Sequence, residues 1–258
     1  MENNPETTGS GRKRQGSKES PSRRQSRRDE IRRKERTQRT ITVAVIGVVA
    51  LAVIFLFIVP AFRSAGGGSV PPFTTVEPVN YANANGFQMG DANAKVKIEV
   101  FEDYTCSACK VYSETVEPQV ISEIVDKGLA SYVFYQFPFL DDGSQLKQSD
   151  LSANAALCAA DQNKFWDYKK ILFINQGLTL TEPTLNAFAE SVGLDTAAFK
   201  SCFDARQHQG TIDEHLALGE SYNVSGTPSV FVNGVEVAPG RVPSFQQIFD
   251  AVNAAQNQ

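Results

Sequence analysis

Twenty-two consecutive residues without a charge, from Ile41 to Phe62 (ITVAVIGVVALAVIFLFIVPAF), divide this chain into parts that cannot share one core. At about 1.5 Å rise per residue, a helix of that length reaches about 33 Å, against a hydrocarbon layer of about 30 Å. The run therefore predicts one transmembrane helix over residues 40–62, with Pro60 near its far end, where it does least harm. The two flanks carry opposite charge. Residues 1–39 hold 13 of the 25 Lys and Arg against six Asp and Glu, which leaves 12 Lys and Arg against 23 Asp and Glu for the remainder. The formal net charge of −4 describes neither part. Residues 1–39 lack aromatic and long apolar runs, so they cannot bury enough surface to offset ordering entropy, and the composition predicts a disordered basic tail.

The tail also sets orientation. Lys and Arg crowd the N-terminal side of the run, whereas Arg63 is the only basic residue for about thirty positions after it. By the positive-inside rule the N-terminus stays in the cytoplasm and the acidic C-terminal part lies outside, where disulfides persist. A cleaved signal peptide has a shorter apolar region, about 7 to 15 residues, so the run reads as an uncleaved anchor of a single-pass cell-membrane protein. The basic tail is then a topology signal, and no nucleic-acid partner is expected.

Residues 63–79 include Gly66, Gly67, Gly68, Pro71 and Pro72 and read as a linker. Residues 80–258 remain, a usual size for one domain. Lys95 to Phe101 alternates as a strand with Val96, Ile98 and Val100 on one face. A helix follows from Ser107, with a kink at Pro118 and a stop at Gly128. Residues 130–139 form a second strand, which completes a βαβ unit if the two strands are parallel. Residues 146–222 read as helical throughout, with Thr181 and Asp195 as N-caps, Pro183 near a helix start and Gly193 as a stop. Strand residues 228–232, Asn233-Gly234 and residues 235–237 form a hairpin, and Ser244 to Ala255 a last helix.

Cys106-Ser107-Ala108-Cys109 sits where the first strand hands over to a helix. Unpaired N–H groups and the helix dipole favour an anion there, so the thiolate of Cys106 is the candidate attacking group. Cys109, one turn later, is placed to resolve a mixed disulfide at Cys106. A CxxC pair also serves zinc, but zinc takes four ligands. The other candidates, Cys158, Cys202, His208 and His215, are scattered without a second close pair, and no metal is expected. The two histidines read as surface residues without a partner.

The segments FEDYTCSACK, ALCAADQNKFWDYKKILF and VSGTPSVFVNGV together resemble the DsbA-like branch of the thioredoxin superfamily, over about residues 80–258. The resemblance implies an α/β chain in which the transmembrane helix precedes a thioredoxin fold with a helical insertion at about 146–222. It also implies a cis peptide before Pro228, which with Thr227 meets substrate beside the cysteines. Family members often carry Pro or His between the cysteines, and here Ser107 and Ala108 add no positive charge. Glu102 and Asp103 precede the motif. Glu102 is the candidate for handling the Cys109 proton, against the alternative that both are solvated strand-end carboxylates. Cys158 and Cys202 resemble the second, structural disulfide of some DsbA-like proteins, the alternative being two buried thiols. Phe165, Trp166, Tyr168, Leu172 and Phe173 read as core rather than as an exposed groove.

The activity expected is that of an anchored thiol-disulfide oxidoreductase without a cofactor. It donates the Cys106–Cys109 disulfide to reduced, unfolded secreted proteins and is recycled, by family analogy, by a quinone-linked membrane electron acceptor. A reductase, an isomerase or a chaperone-like binding protein are the alternatives.

Overall fold

The computed structural model describes residues 21–53, 70–79, 81, 83–141 and 145–258. They fall in two compact units, residues 1–67 and 68–258. In the first, helix α1 spans Pro21–Val53. Residues 21–39 of the tail lie within this helix. Their Arg, Lys, Glu and Gln are good helix formers that lose little rotamer freedom in a helix. Residues 1–20 and 54–62 lie outside the described residues, and with them the end of the uncharged run. Among the described residues, no helix is long and apolar enough to cross a membrane.

The second unit is built on a five-stranded sheet. Its strands are β1 (Gln88–Met89), β2 (Lys97–Glu102), β3 (Ser131–Gln136), β4 (Ser229–Val232) and β5 (Val235–Val237), in the order β1-β3-β2-β4-β5. Strands β2 and β3 run parallel, with Ile98 opposite Tyr132 and Val100 opposite Phe134. The other pairings are antiparallel. Between β2 and β3 the chain forms α2 (Ser107–Thr115), then α3 (Glu117–Val120), which widens into a π turn over Ile121–Val125. The break falls at Val116, two residues before Pro118, whose missing N–H cannot continue the ladder. Asn233 and Gly234 both take positive φ, as a two-residue hairpin turn requires.

Among the described residues, five helices separate β3 from β4. They are α4 (Gln148–Ala160), α5 (Phe165–Ile174), α6 (Glu182–Ser191), α7 (Thr196–Asp204) and α8 (Gln209–Ser221); helix α9 (Phe245–Gln256) closes the chain. Thr181 and Asp195 cap α6 and α7, and Ser244 with Gln247 forms a capping box on α9. Helix α4 is buried along most of its length, and Phe165, Tyr168, Leu172 and Phe173 of α5 pack into the main core with Tyr132 and Phe134. Each such side chain contributes about 1.5–3 kcal/mol through burial. Gly219 of α8 lies so close to the Phe137 ring that a Cβ would overlap it.

The domain begins earlier than expected. Within the segment read as a linker, residues 70–79 run along the helical block. Phe73 packs edge-on against Phe188 at 4.9 Å, the Thr74 N–H donates to Asn175 Oδ1 at 2.7 Å, and the Val79 N–H donates to Asp167 Oδ1 at 2.6 Å. Phe73, Val76 and Val79 supply apolar surface that the glycine- and proline-rich residues before them lack.

Candidate active site

Strand parity fixes what lies under the cysteines. Successive side chains of a strand alternate faces, so Ile98, Val100 and Glu102 point the same way. Ile98 and Val100 enter the main core, and Glu102 follows them in, fully buried. Neither of its oxygens has a hydrogen-bond partner. Glu102 is thus not a solvated strand-end carboxylate. Burial pushes its carboxyl up to about 8, although Lys169 lies 3.7 Å away and pulls the other way. The Lys169 ammonium instead donates to Glu117 Oε2 at 2.5 Å and to Ser113 Oγ at 2.9 Å, and the Tyr132 hydroxyl donates to Glu117 Oε1 at 2.8 Å. The rings of Phe134, Trp166 and Phe173 surround the ammonium at 5.0–5.9 Å.

Asp103, on the opposite parity, serves the turn rather than the sulfurs. It accepts from the N–H and hydroxyl of Thr105 at 2.8 and 2.9 Å and from the Leu140 N–H at 3.1 Å. Gln176, at the end of the α5 region, donates its amide to the carbonyls of Tyr104 and Cys106 at 2.8 and 2.9 Å. It was invisible in the sequence, because its role depends on a contact 70 residues away.

Cys106 stands at the N-cap of α2, half-buried, and Cys109 is buried one turn on; both are free thiols. The Cys106 thiol is lowered to about 5, first by the Cys109 thiol that donates to it, opposed by its burial, and assisted by the N–H groups of Cys109 and Ala108. No cationic side chain is among these causes. The Cys109 thiol is pushed well above its ordinary value by burial, by its bond to Cys106 and by the charge of Glu102. At neutral pH one sulfur is therefore a thiolate and the other a thiol. The Cys106 thiol, when protonated, donates to the Thr227 carbonyl at 3.2 Å. The Thr227-Pro228 peptide is cis. Ala108, Gly226, Thr227, Pro228 and Arg241 line a cavity of about 250 Å³ beside the pair.

The other sequence candidates lie elsewhere. Cys158 on α4 and Cys202 on α7 form a disulfide. The expectation of two surface histidines is corrected. His215 is buried, accepts from the Gln136 N–H at Nδ1 (3.0 Å) and packs edge-on against Phe87 and Tyr135. Burial lowers it to about 4. Ile212, His215 and Gly219 share one face of α8, at spacings of three and four, which explains the burial. His208 is half-buried and meets Asp161 at 2.8 Å.

Residues 82–251 match a protein-family model described as thioredoxin. The probable disulfide bond formation protein D of Bacillus anthracis is 30% identical over 162 residues, which cover 60% of this chain and 72% of that one. A thioredoxin-like oxidoreductase from Silicibacter pomeroyi superposes with a TM-score of 0.56 at 28% identity, over 69% of this chain and 99% of that one. Oxidised BdbD from Bacillus subtilis superposes with a TM-score of 0.57 at 21% identity, over 72% of this chain and 100% of that one, a likeness of fold.

Proposed function

The chain belongs to the thioredoxin family and is a protein thiol-disulfide oxidoreductase, and from that premise we propose that it is a membrane-anchored oxidase that introduces disulfides into secreted proteins. The observation that carries the reading is the pairing of a half-exposed Cys106 thiol, lowered to about 5, with a buried Cys109 thiol raised beside it. A low-pKa thiol leaves readily, and an oxidant is a protein whose reduced form is stabilised.

In the oxidised enzyme a client thiolate attacks the Cys106 sulfur. The Cys106–Cys109 bond breaks, a client–Cys106 bond forms, and Cys109 departs with the electron pair. Glu102, raised to about 8 and so protonated at neutral pH, is the proton donor to that thiolate. A second client thiolate attacks the client sulfur of the mixed disulfide and expels Cys106 as a stable thiolate. The client gains one disulfide, and two electrons remain on the enzyme. The backbone of Thr227, next to Pro228, aligns the client as an extended strand beside Cys106. The Cys158–Cys202 disulfide is structural in this reading.

The uncharged run 41–62 and the basic residues before it support an anchor with the N-terminus cytoplasmic and the domain extracytoplasmic. Ile41, Val43, Val45, Ile46, Val48 and Val49 of α1 are all exposed, as lipid-facing residues are. A membrane electron acceptor, quinone-linked by family analogy, then reoxidises the pair.

The test is the reduction potential of the Cys106–Cys109 pair, by equilibration with glutathione and thiol alkylation. A value near about −120 mV is expected, and one near about −270 mV would assign a reductase instead. A Cys106→Ser variant that keeps full biological activity would transfer the function to client binding alone.

A further inference from the structure

Arginine is scarce in the acidic part of the chain. After Arg63 the sequence holds only Arg206 and Arg241. Arg206, between α7 and α8, pairs with Asp150 and donates to Gln209 Oε1 at 2.6 Å. Arg241, on the loop between β5 and α9, is exposed, and among the described residues no carboxylate pairs with it. Its backbone N–H donates to the Ala238 carbonyl at 3.3 Å, so the loop is held while the guanidinium stays uncommitted.

That guanidinium belongs to the wall of the cavity beside Thr227 and Pro228, and among the described residues it is the one charged group there. The other wall residues, from Ala108 on α2 to Val242, are uncharged. Glu236 accepts from the hydroxyl of the wall residue Ser229 at 3.2 Å but does not itself line the cavity. Lys110, four residues after Cys106, is taken up elsewhere, since its ammonium donates to the Ile174 carbonyl at 3.3 Å and lies 3.7 Å from Glu114. The reactive sulfur borders the same cavity, because Cys106 Sγ is 3.2 Å from the Thr227 carbonyl. A unit in which acids outnumber bases thus keeps a free cation next to the sulfur that clients attack.

We propose that Arg241 selects clients, favouring those with an acidic side chain two residues from the cysteine that joins Cys106. The inference rests on the reading of Cys106 as the sulfur that a client attacks. A guanidinium meets a carboxylate through two parallel N–H···O bonds, so it favours an acid and repels a Lys or Arg at the same position. The spacing follows from an extended client along Thr227. Residues two apart share a face and lie about 6.6 Å apart, and a compact space of about 250 Å³ is about 8 Å across. A client cysteine and its acidic neighbour therefore fit the two sides of the cavity. Arg241 moves no electron and no proton. It changes the rate at which the client–Cys106 bond forms, while the Cys106–Cys109 bond breaks and Cys109 departs with the electron pair as described above.

The experiment uses the full-length chain in detergent, oxidised at Cys106–Cys109, and peptides of one sequence with a single cysteine. Two positions before or after that cysteine they carry Asp, Asn or Lys. With peptide in excess, the initial rate of loss of the Cys106–Cys109 disulfide is read by acid quenching and thiol alkylation. Dividing the parent rate by that of Arg241→Gln for the same peptide cancels the effect of the neighbouring charge on the peptide's own thiol. At one of the two positions this ratio should be about three for Asp, about one for Asn and about one third for Lys. All three should approach one in about 1 M salt, where the screening length is about 3 Å. Arg241→Lys should keep the order and Arg241→Glu should invert it, an inversion that a merely structural role would not produce. Lys110→Gln and Lys127→Gln, which remove a charge outside the cavity, should keep the order of the parent. The proposal is overturned if the three ratios are equal at both positions, if Arg241→Glu keeps the parent's order, or if Lys110→Gln abolishes it. Should no peptide exchange at all, the client reading of Cys106 fails, and alkylation of the reduced protein still decides the role of Arg241. Arg241→Gln should then lower the rate of Cys106 with anionic iodoacetate about threefold relative to neutral iodoacetamide, and an unchanged ratio overturns the proposal.

Discussion

Glu102 and Lys169 lie 3.7 Å apart in the core with side-chain exposures of 0% and 2%, yet no hydrogen bond joins them. The ammonium is committed to Glu117 and Ser113, and the Glu102 carboxyl, whose charge bears on both cysteines, is raised to about 8. An acid whose folded value is raised costs nothing below its unfolded value of 4.5, where both states hold the proton. The cost grows as pH rises from there to about 8. Glu102→Gln should therefore match the parent at pH 4 and exceed it by about 4 kcal/mol at pH 8 in urea unfolding. The same variant should lose the pH dependence of Cys109 release near pH 8, read by stopped-flow thiol exchange. An unchanged profile would remove Glu102 from proton transfer.

Cys106 offers a direct titration. Alkylation of the reduced protein by iodoacetamide should rise with a midpoint near pH 5, and Cys109 should stay unreacted in the folded chain. A depressed thiol stabilises the fold above its unfolded value, and that contribution disappears as pH falls through about 5. The reduced form should accordingly lose stability progressively from about pH 9 to about pH 5 relative to Cys106→Ser. A midpoint near 8.5 would contradict the arrangement of donors around the sulfur.

The buried His215 makes the second unit acid-sensitive. Its folded value is lowered from 6.5 to about 4, so the unfolded chain takes up the proton first, and stability falls as pH drops across that interval. His215→Gln keeps an acceptor for the Gln136 N–H. It should cost about 1 kcal/mol at pH 7 and show a shallower decline from pH 6.5 to 4 in urea titrations. Parallel declines in the two proteins would assign the acid sensitivity elsewhere.

Gly219→Ala places a methyl against Phe137, which is itself buried. Overpacking of this kind costs about 1–3 kcal/mol and the helix recovers at most about 1, so a net loss is expected in thermal unfolding. A higher Tm would mean that the ring moves aside.

Local signals made much of this readable. The alternation of residues 95–101, the Asn233-Gly234 turn, the caps at Thr181, Asp195 and Ser244, and the position of Cys106 at a helix start all act within a few residues of themselves. The burial of Glu102 was legible too, because its parity with Ile98 and Val100 points it inward, and the spacing of Ile212, His215 and Gly219 carried the same message. What stayed hidden rests on tertiary contact. Lys169 looks like a surface residue of an amphipathic helix until three rings and two carboxylates enclose it. Residues 70–79 have the composition of a spacer until Asn175 and Asp167 bind their backbone.

Gln176 holds the carbonyls on both sides of Thr105 with one side-chain amide, and that amide comes from the helical insertion rather than from the sheet. The turn that presents the thiolate is thus a boundary shared by two modules. Substitutions in the helical block can retune the chemistry of the CxxC pair without altering any residue of it. The insertion works as an adjusting screw on the redox centre, and changes there can alter oxidising strength while the four-residue motif stays the same.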